Sequence, residues 1–425
     1  MERRVVIVGG GAGGVELAST LGRRSRRLNM QVSLVDCASR HLWKPRLHEV
    51  AVGLRGDGDA VPYLALAQAN GFRFNLGALT GMDAKAQTIS LGPVATSQGD
   101  TLLSERVLQY DTLVLAFGSD VNDFGTPGVR EYCLMLDDSE RALGFQRQLL
   151  EAAVLVSQGT VERLRIGIVG AGATGVELAA ELCHSISAMH RSGGLMLTDK
   201  FDITLIDMAP RVLANSAPAV SGFAAHALQR LGVTLRLNSG VAMVTANGFV
   251  LKGGDVVPCD LKIWASGVIG RPVAANLNLT LDRSRRIVCD QFLRCTGAEN
   301  IYALGDCASV SDPATNRPLP TTAQVAHQQA AYLLKSLSLK PADMPSKPYQ
   351  YRDRGSLVSL GTEPTTGEVP IHKQKAWTFN GIFAKFAYVS LQIMHRATLL
   401  GWPRAVTLML ADCLRRTVAP PVKLH

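Results

Sequence analysis

The sequence predicts an α/β fold in which one parallel-sheet unit occurs twice and is followed by a C-terminal amphipathic helical segment. Three observations lead there. A β-branched run, a glycine-rich turn and a helix-forming stretch follow one another in "RRVVIVGGGAGGVELASTLG". The same succession recurs about 160 residues later in "RLRIGIVGAGATGVELAAEL". Over the last fifty residues, basic side chains alternate with large apolar ones at helical spacing. A chain of 425 residues leaves room for two or three such units.

The first unit carries Gly9-x-Gly11-x-x-Gly14 between strand and helix. The first glycine permits a tight turn and the second lets a diphosphate approach the backbone. The third lets helix and strand pack closely, with the helix N-terminus aimed at the phosphates. The next strand, "QVSLVD", ends in Asp36, where a carboxylate can accept both ribose hydroxyls. Strand, turn, helix and terminal acid together predict a Rossmann-like dinucleotide-binding domain. The second unit repeats the pattern as Gly170-x-Gly172-x-x-Gly175, and "FDITLID" ends in Asp207. The longer interval is filled by "SAMHRSGGLMLTDK", read as a surface insertion. An acid at this place favours a free 2′-hydroxyl, hence NAD(H). Arg211, four residues on, keeps NADP(H) as the alternative. Two dinucleotides in one chain pair naturally as a flavin and a nicotinamide.

"NIYALGDCA" then places Asp306 at the carboxyl end of a strand, where it can hold a ribityl hydroxyl; a plain turn aspartate is the competing reading. "DTLVLAFGS" and "LKIWASGV" read as the crossovers between the two domains.

In the order GGGAGG, LAFGS, GAGATGVELA, WASGV, ALGDCA, the chain resembles the two-dinucleotide-domain flavoproteins of the disulfide reductase superfamily. Within them, "TTAQVAHQ" and "YRDRGSLVSLG" resemble the type II NADH dehydrogenases, single-subunit NADH:quinone oxidoreductases. The resemblance implies an FAD-binding domain at 1–118 and 264–340 and an NADH-binding domain inserted at 119–263. A C-terminal membrane-association or dimerisation region would cover 346–425. It implies FAD contacts from Gly9, Gly11, Gly14, Asp36 and Asp306, and NADH contacts from Gly170, Gly172, Gly175, Glu177 and Asp207. Trp43, Lys44 and Pro45 of "HLWKPRLHEVA" would pass by the flavin. Leu79, Gly118, Gly267, Gly305 and Ala323 complete the implied cofactor-binding set. Phe117 stands where the family commonly has threonine.

Gln324 and Gln328 would line the quinone site. They are four residues apart and share a helix face, and neutral amides can hold quinone carbonyls without a buried charge. The plainer alternative is one capping amide and others in water. His327 reads as a solvated or core histidine more than a proton donor. Glu177, early in the helix after the second fingerprint, either serves the nicotinamide or quinone or merely suits the helix dipole.

The eight cysteines form no CxxC, and no metal site is expected. With only Cys37 near "HLWKP", a dithiol relay is not expected, so electrons leave FAD directly. The N-terminal apolar run breaks into glycine too soon for an export signal, which points to the cytoplasm. Net charge is +9. After the polar linker "SLKPADMPSKPYQ", residues 376–425 hold Lys385, Arg396, Arg404, Arg415, Arg416 and Lys423 against the single acid Asp412. Phe383, Phe386, Val389, Ile393 and Leu400 recur at helical spacing, with Lys385, Gln392, His395 and Arg396 on the other side.

The longest charge-free run, 386–395, is too short to cross a hydrocarbon core, which needs about 20 residues. A helix lying on an anionic membrane surface, with Trp377 or Trp402 at headgroup depth, fits better; docking on the protein's own core or on a second copy of the chain is the alternative. Basic residues interleaved with aliphatics do not form a nucleic-acid platform. The expected activity is a non-pumping transfer of two electrons from NADH through FAD to ubiquinone or menaquinone, at the cytoplasmic face of the inner membrane. Rival readings are a sulfide:quinone oxidoreductase, a soluble ferredoxin reductase and a flavin-bound NADH sensor.

Overall fold

The structure, a computed structural model, describes residues 2–55, 60–193, 198–339, 347–372 and 375–418. Lys423, the 340–346 part of the polar linker and the 194–197 part of the surface insertion lie outside the described residues.

The first fingerprint folds as foreseen. β1 (Arg3–Val8) leads through the glycine turn into α1 (Ala12–Gly22), then β2 (Met30–Asp36), β3 (Arg73–Leu76) and β4 (Thr112–Leu115). The second domain supplies β5 (Leu134–Met135), α2 (Ser139–Ser157), β6 (Leu164–Val169), α3 (Ala173–Gly193), β7 (Phe201–Ile206), β8 (Thr234–Arg236) and β9 (Leu261–Trp264). The chain then returns to the first sheet with β10 (Ile301–Ala303) and α4 (Ala323–Leu337). Sheet order is β10-β4-β1-β2-β3 in one and β5-β9-β6-β7-β8 in the other, and every neighbouring pair is parallel. β1 and β6 are almost wholly apolar because both faces of a parallel sheet are covered.

β4 pairs with β10, Leu113 opposite Ile301, although the whole second sheet lies between them in sequence. The two connections run side by side: Ser119–Val121 pairs antiparallel with Val268–Gly270. One core gathers around β1, β2, β4 and β10 and reaches Leu399 near the C-terminus. The other gathers around β6, α2 and α3 and takes in Val50 and Ala51 from the first segment. Cys289, Cys295 and Cys307 are buried in the first core as free thiols.

The C-terminal region differs from the sequence expectation in one way. Before its helices stands an antiparallel sheet, β11 (Ser356–Leu360), β12 (Glu363–His372) and β13 (Lys375–Asn380). Trp377 therefore sits on a strand beside Phe379 and not on a helix. The alternation in "SLVSL", which buries Val358 and Leu360, is the period-two signal for it. The sheet is followed by helices, as expected: α5 (Ile382–Leu400) and α6 (Trp402–Val418). α5 leaves part of its apolar side uncovered. Phe383 and Phe386 are 80% and 71% exposed, whereas His395 on the polar side is buried against the protein body. Among the described residues no helix is long and apolar enough to cross a membrane.

Candidate active site

Each fingerprint builds an open cradle. Gly9 has φ +107°, and a Cβ there would meet the Ala116 carbonyl oxygen at 2.3 Å. At Gly14 it would lie 1.9 Å from the Gly9 carbonyl oxygen, so only glycine lets the helix start so close to the strand. Gly11 has nothing within 4 Å, and it is there that a diphosphate can reach the N-terminus of α1. The second turn repeats this geometry: a Cβ at Gly175 would lie 1.9 Å from the Gly170 carbonyl oxygen, and Gly172 is open.

The terminal acids are matched too. Asp36 accepts from the Gly10 amide at 2.6 Å and the Ala38 amide at 2.8 Å. Asp207 accepts from the Ala171 amide at 2.5 Å and the Ala209 amide at 2.7 Å. Each carboxylate thus pins its glycine loop while its remaining lone pairs stay available to a ribose. Burial raises the Asp36 carboxyl despite those two amides. Arg211 turns its guanidinium to the Leu213 and Ala214 carbonyls at 3.4 and 2.5 Å.

Gly305 (φ +73°) and Asp306 form a 3-10 turn at the end of β10, where Asp306 accepts from Ser119 Oγ at 3.3 Å. The turn is held from below by Gln329, fully buried, whose Oε1 accepts the Gly305 amide at 2.7 Å. Gly118 and Gly267 both have positive φ just after β4 and β9. Ala323 opens α4, capped by Thr322. Leu79 begins a strand packed against the first core.

Gln324 and Gln328 do share a face, and the structure gives both amides backbone partners. Gln324 Oε1 accepts from the Arg354 amide at 2.7 Å, and its Nε2 donates to the Gly355 carbonyl at 3.1 Å. Gln328 takes the Arg352 amide at 3.0 Å and donates to the Arg352 carbonyl at 2.8 Å. The amide-rich face of α4 thereby fastens the extended segment that enters β11.

Glu177 lies one turn inside α3 and is buried. One oxygen accepts from the Ser359 amide at 3.0 Å and the other stands 3.7 Å from His48 Nδ1. Burial dominates its surroundings and pushes the carboxyl up to about 7. The neighbouring Glu49 behaves oppositely: burial would raise it, but Arg46 at 2.6 Å and Arg55 at 2.7 Å hold it at about 2. Two carboxyls in one region are thus pushed apart, one able to hold a proton at neutral pH and one not. Tyr388 of α5 faces the same group; burial, Glu177 and Glu49 raise its phenol.

Trp43 stacks on His395 of α5, with ring centroids 5.6 Å apart, and Lys44 beside it is exposed. His327 is half exposed to water, and its Nδ1 lies 2.5 Å from Glu16 of α1. Glu16, His41, His395 and Gln329 were missed by sequence reasoning. Glu16 and His395 are far apart in sequence, and no spacing signal connects them; Gln329 was hidden beside the two glutamines of the motif.

A family model described as pyridine nucleotide-disulphide oxidoreductase matches residues 3–330. The chain is 36% identical to a type II NADH:quinone oxidoreductase of Haemophilus influenzae, with all of both chains covered. It is 28% identical to a type II NADH:quinone oxidoreductase of Mycobacterium tuberculosis, over 96% of this chain and 86% of that one. Its fold is similar to that of NDH2 from Plasmodium falciparum, solved in complex with NADH, at a TM-score of 0.85 and 18% identity over all of both chains.

Proposed function

The chain belongs to the pyridine nucleotide-disulphide oxidoreductase family and, within it, to the type II NADH:quinone oxidoreductases; it is an enzyme that passes electrons from NADH through FAD to a quinone, and we propose how its own residues serve that reaction. FAD, when bound, supplies the two-electron chemistry between the two substrates. The observation that carries the proposal is the twin cradle: two open glycine turns at helix N-termini, each closed by a strand-end carboxylate.

Gly9, Gly11, Gly14 and Asp36 hold the FAD diphosphate and ribose, and Asp306 the ribityl chain. Gly118, Gly305, Ala323, Leu79, Trp43 and Lys44 border the same cofactor. Gly170, Gly172, Gly175, Asp207 and Gly267 hold NADH; the engagement of Arg211 with carbonyl groups favours NADH over NADPH. The chain divides as 1–118 with 264–340 around FAD, 119–263 around NADH and 346–425 towards the membrane. The quinone approaches the start of α4, where a carbonyl can exchange with one of the amide bonds of Gln324 or Gln328. Glu177, protonated near neutral pH in a buried setting, is the group that holds a proton for the quinone.

Exposed Phe383 and Phe386, with Trp402 at the start of α6, dip into the lipid interface, and the enzyme sits peripherally on the cytoplasmic face of the inner membrane.

The test is the visible spectrum of FAD-loaded protein, recorded anaerobically after NADH and then after a short-chain quinone. Bleaching by NADH and recovery with quinone are expected. No bleaching by NADH would sink the assignment, and bleaching by sulfide instead would select a sulfide:quinone oxidoreductase.

A further inference from the structure

The C-terminal helix reaches the glycine loop of the first domain through a line of buried side chains. His395 Nδ1 lies 2.7 Å from Glu16 Oε1, and His395 Nε2 lies 2.9 Å from His41 Nε2. His41 Nδ1 lies 2.8 Å from the Gly10 carbonyl, which also accepts from the Tyr63 hydroxyl at 2.8 Å. Glu16 takes its other bond from His327.

Donor accounting settles where the protons are. A carbonyl only accepts, so His41 carries its proton on Nδ1. Burial, with His395 adding to it, holds His41 neutral, down at about 3, and its Nε2 is therefore bare. His395 must then donate from Nε2. Burial would raise the Glu16 carboxyl, but the bonds from His327 and His395 hold it at about 2, so it is ionised and accepts from His395 Nδ1 as well. His395 thus carries two N–H groups and is a buried imidazolium, with the Trp43 ring stacked on it. Two further bonds tie the end of α5 to the same domain: Asn70 donates to the Leu399 carbonyl at 3.0 Å and Arg23 to the Thr398 carbonyl at 3.0 Å.

We propose that His395, on the lipid-facing helix, is a positioning residue of the FAD site: as an imidazolium held by Glu16 it fixes His41, and through His41 the Gly10 carbonyl, so that tight FAD binding requires the C-terminal helix to be docked. The proposal rests on the assignment of FAD to the first cradle. Removing the His395 imidazole takes away the side chain that meets His41 Nε2 and frees the ring that holds the Gly10 carbonyl. The groups facing this line are Glu16, His41, His327 across Glu16, Tyr63 on the Gly10 carbonyl and Asp36 on the Gly10 amide, with Arg354 acting on His327 and with Arg46, Arg55 and Arg396 around the cavity that His41 and His395 line.

The experiment measures the FAD dissociation constant of the full-length protein by flavin fluorescence, for wild type and His395→Gln. The variant binds FAD roughly tenfold more weakly, which corresponds to losing about one hydrogen bond. Unchanged FAD affinity in His395→Gln overturns the proposal. Nitrogen NMR of the imidazoles in wild-type protein decides the matter even if the variant does not fold: a singly protonated His395 ring near pH 7 also overturns it. Purified wild type that binds no FAD at all would instead refute the cofactor assignment, while the NMR reading of His395 stands apart from it.

Discussion

Among single residues, the glutamates Glu177, Glu16 and Glu49 give opposite pH signatures. The Glu177 carboxyl ionises near 7 in the folded protein against 4.5 ordinarily, so the unfolded chain releases that proton first. Stability therefore falls as pH rises from about 4.5 to 7, by on the order of 3 kcal/mol from this group. Glu177→Gln removes that slope, which urea midpoints at pH 5 and pH 8 would reveal; an unchanged slope would mean that Glu177 is already ionised. The same substitution lowers the rate of flavin reoxidation by quinone by roughly a hundredfold while leaving bleaching by NADH intact, a split readable in anaerobic stopped flow. Glu16 and Glu49, both held at about 2, contribute stability that is present above about 4.5 and lost as pH falls towards 2. Backbone makes its own demand at Gly14, where a methyl group would strike the Gly9 carbonyl. Gly14→Ala should purify with little or no flavin, as its absorbance at the flavin band would report.

Helices decide the middle scale. α4 does two jobs with three amides: Gln329 supports the Asp306 turn from inside, and Gln324 and Gln328 hold residues 352–355 outside. Gln329→Leu leaves the Gly305 amide buried and unpaired, at a cost of about 1–3 kcal/mol. It should show as a lower melting temperature and as FAD lost on gel filtration. α5 exposes its phenylalanines and buries its histidine because its inward face meets polar groups of α1 and of residues 41–49. Phe383→Ser combined with Phe386→Ser should weaken sedimentation with anionic vesicles and leave NADH bleaching unchanged. Equal sedimentation of variant and wild type would put the lipid contact elsewhere.

For the whole molecule, the repeated sheet order means that one solution to dinucleotide binding is used twice, with the second copy entered and left through a paired ribbon. The C-terminal region is no loose appendage, since Leu399 belongs to the first core and His395 Nδ1 lies 2.7 Å from the Glu16 carboxylate. Ending the chain after Asn380 would leave a buried carboxylate facing His327 alone and open the core beside it. The truncated protein should therefore melt at a lower temperature and release FAD; a truncated form as stable as the full chain would contradict that dependence.

Local pattern was enough for much of this protein. Glycine spacing, β-branched runs and the acids ending β2 and β7 are properties of short segments, so both cradles and their sheets were legible in the sequence. So was the surplus of charge and aromatics near the C-terminus. Tertiary structure alone decided what long-range packing decides: that Glu16 meets His395, that Leu399 of α5 enters the first core, and that Gln324 and Gln328 grip the chain at 352–355. Those contacts join residues remote in sequence. Their energies come from burial and from hydrogen-bond partners that no local periodicity encodes.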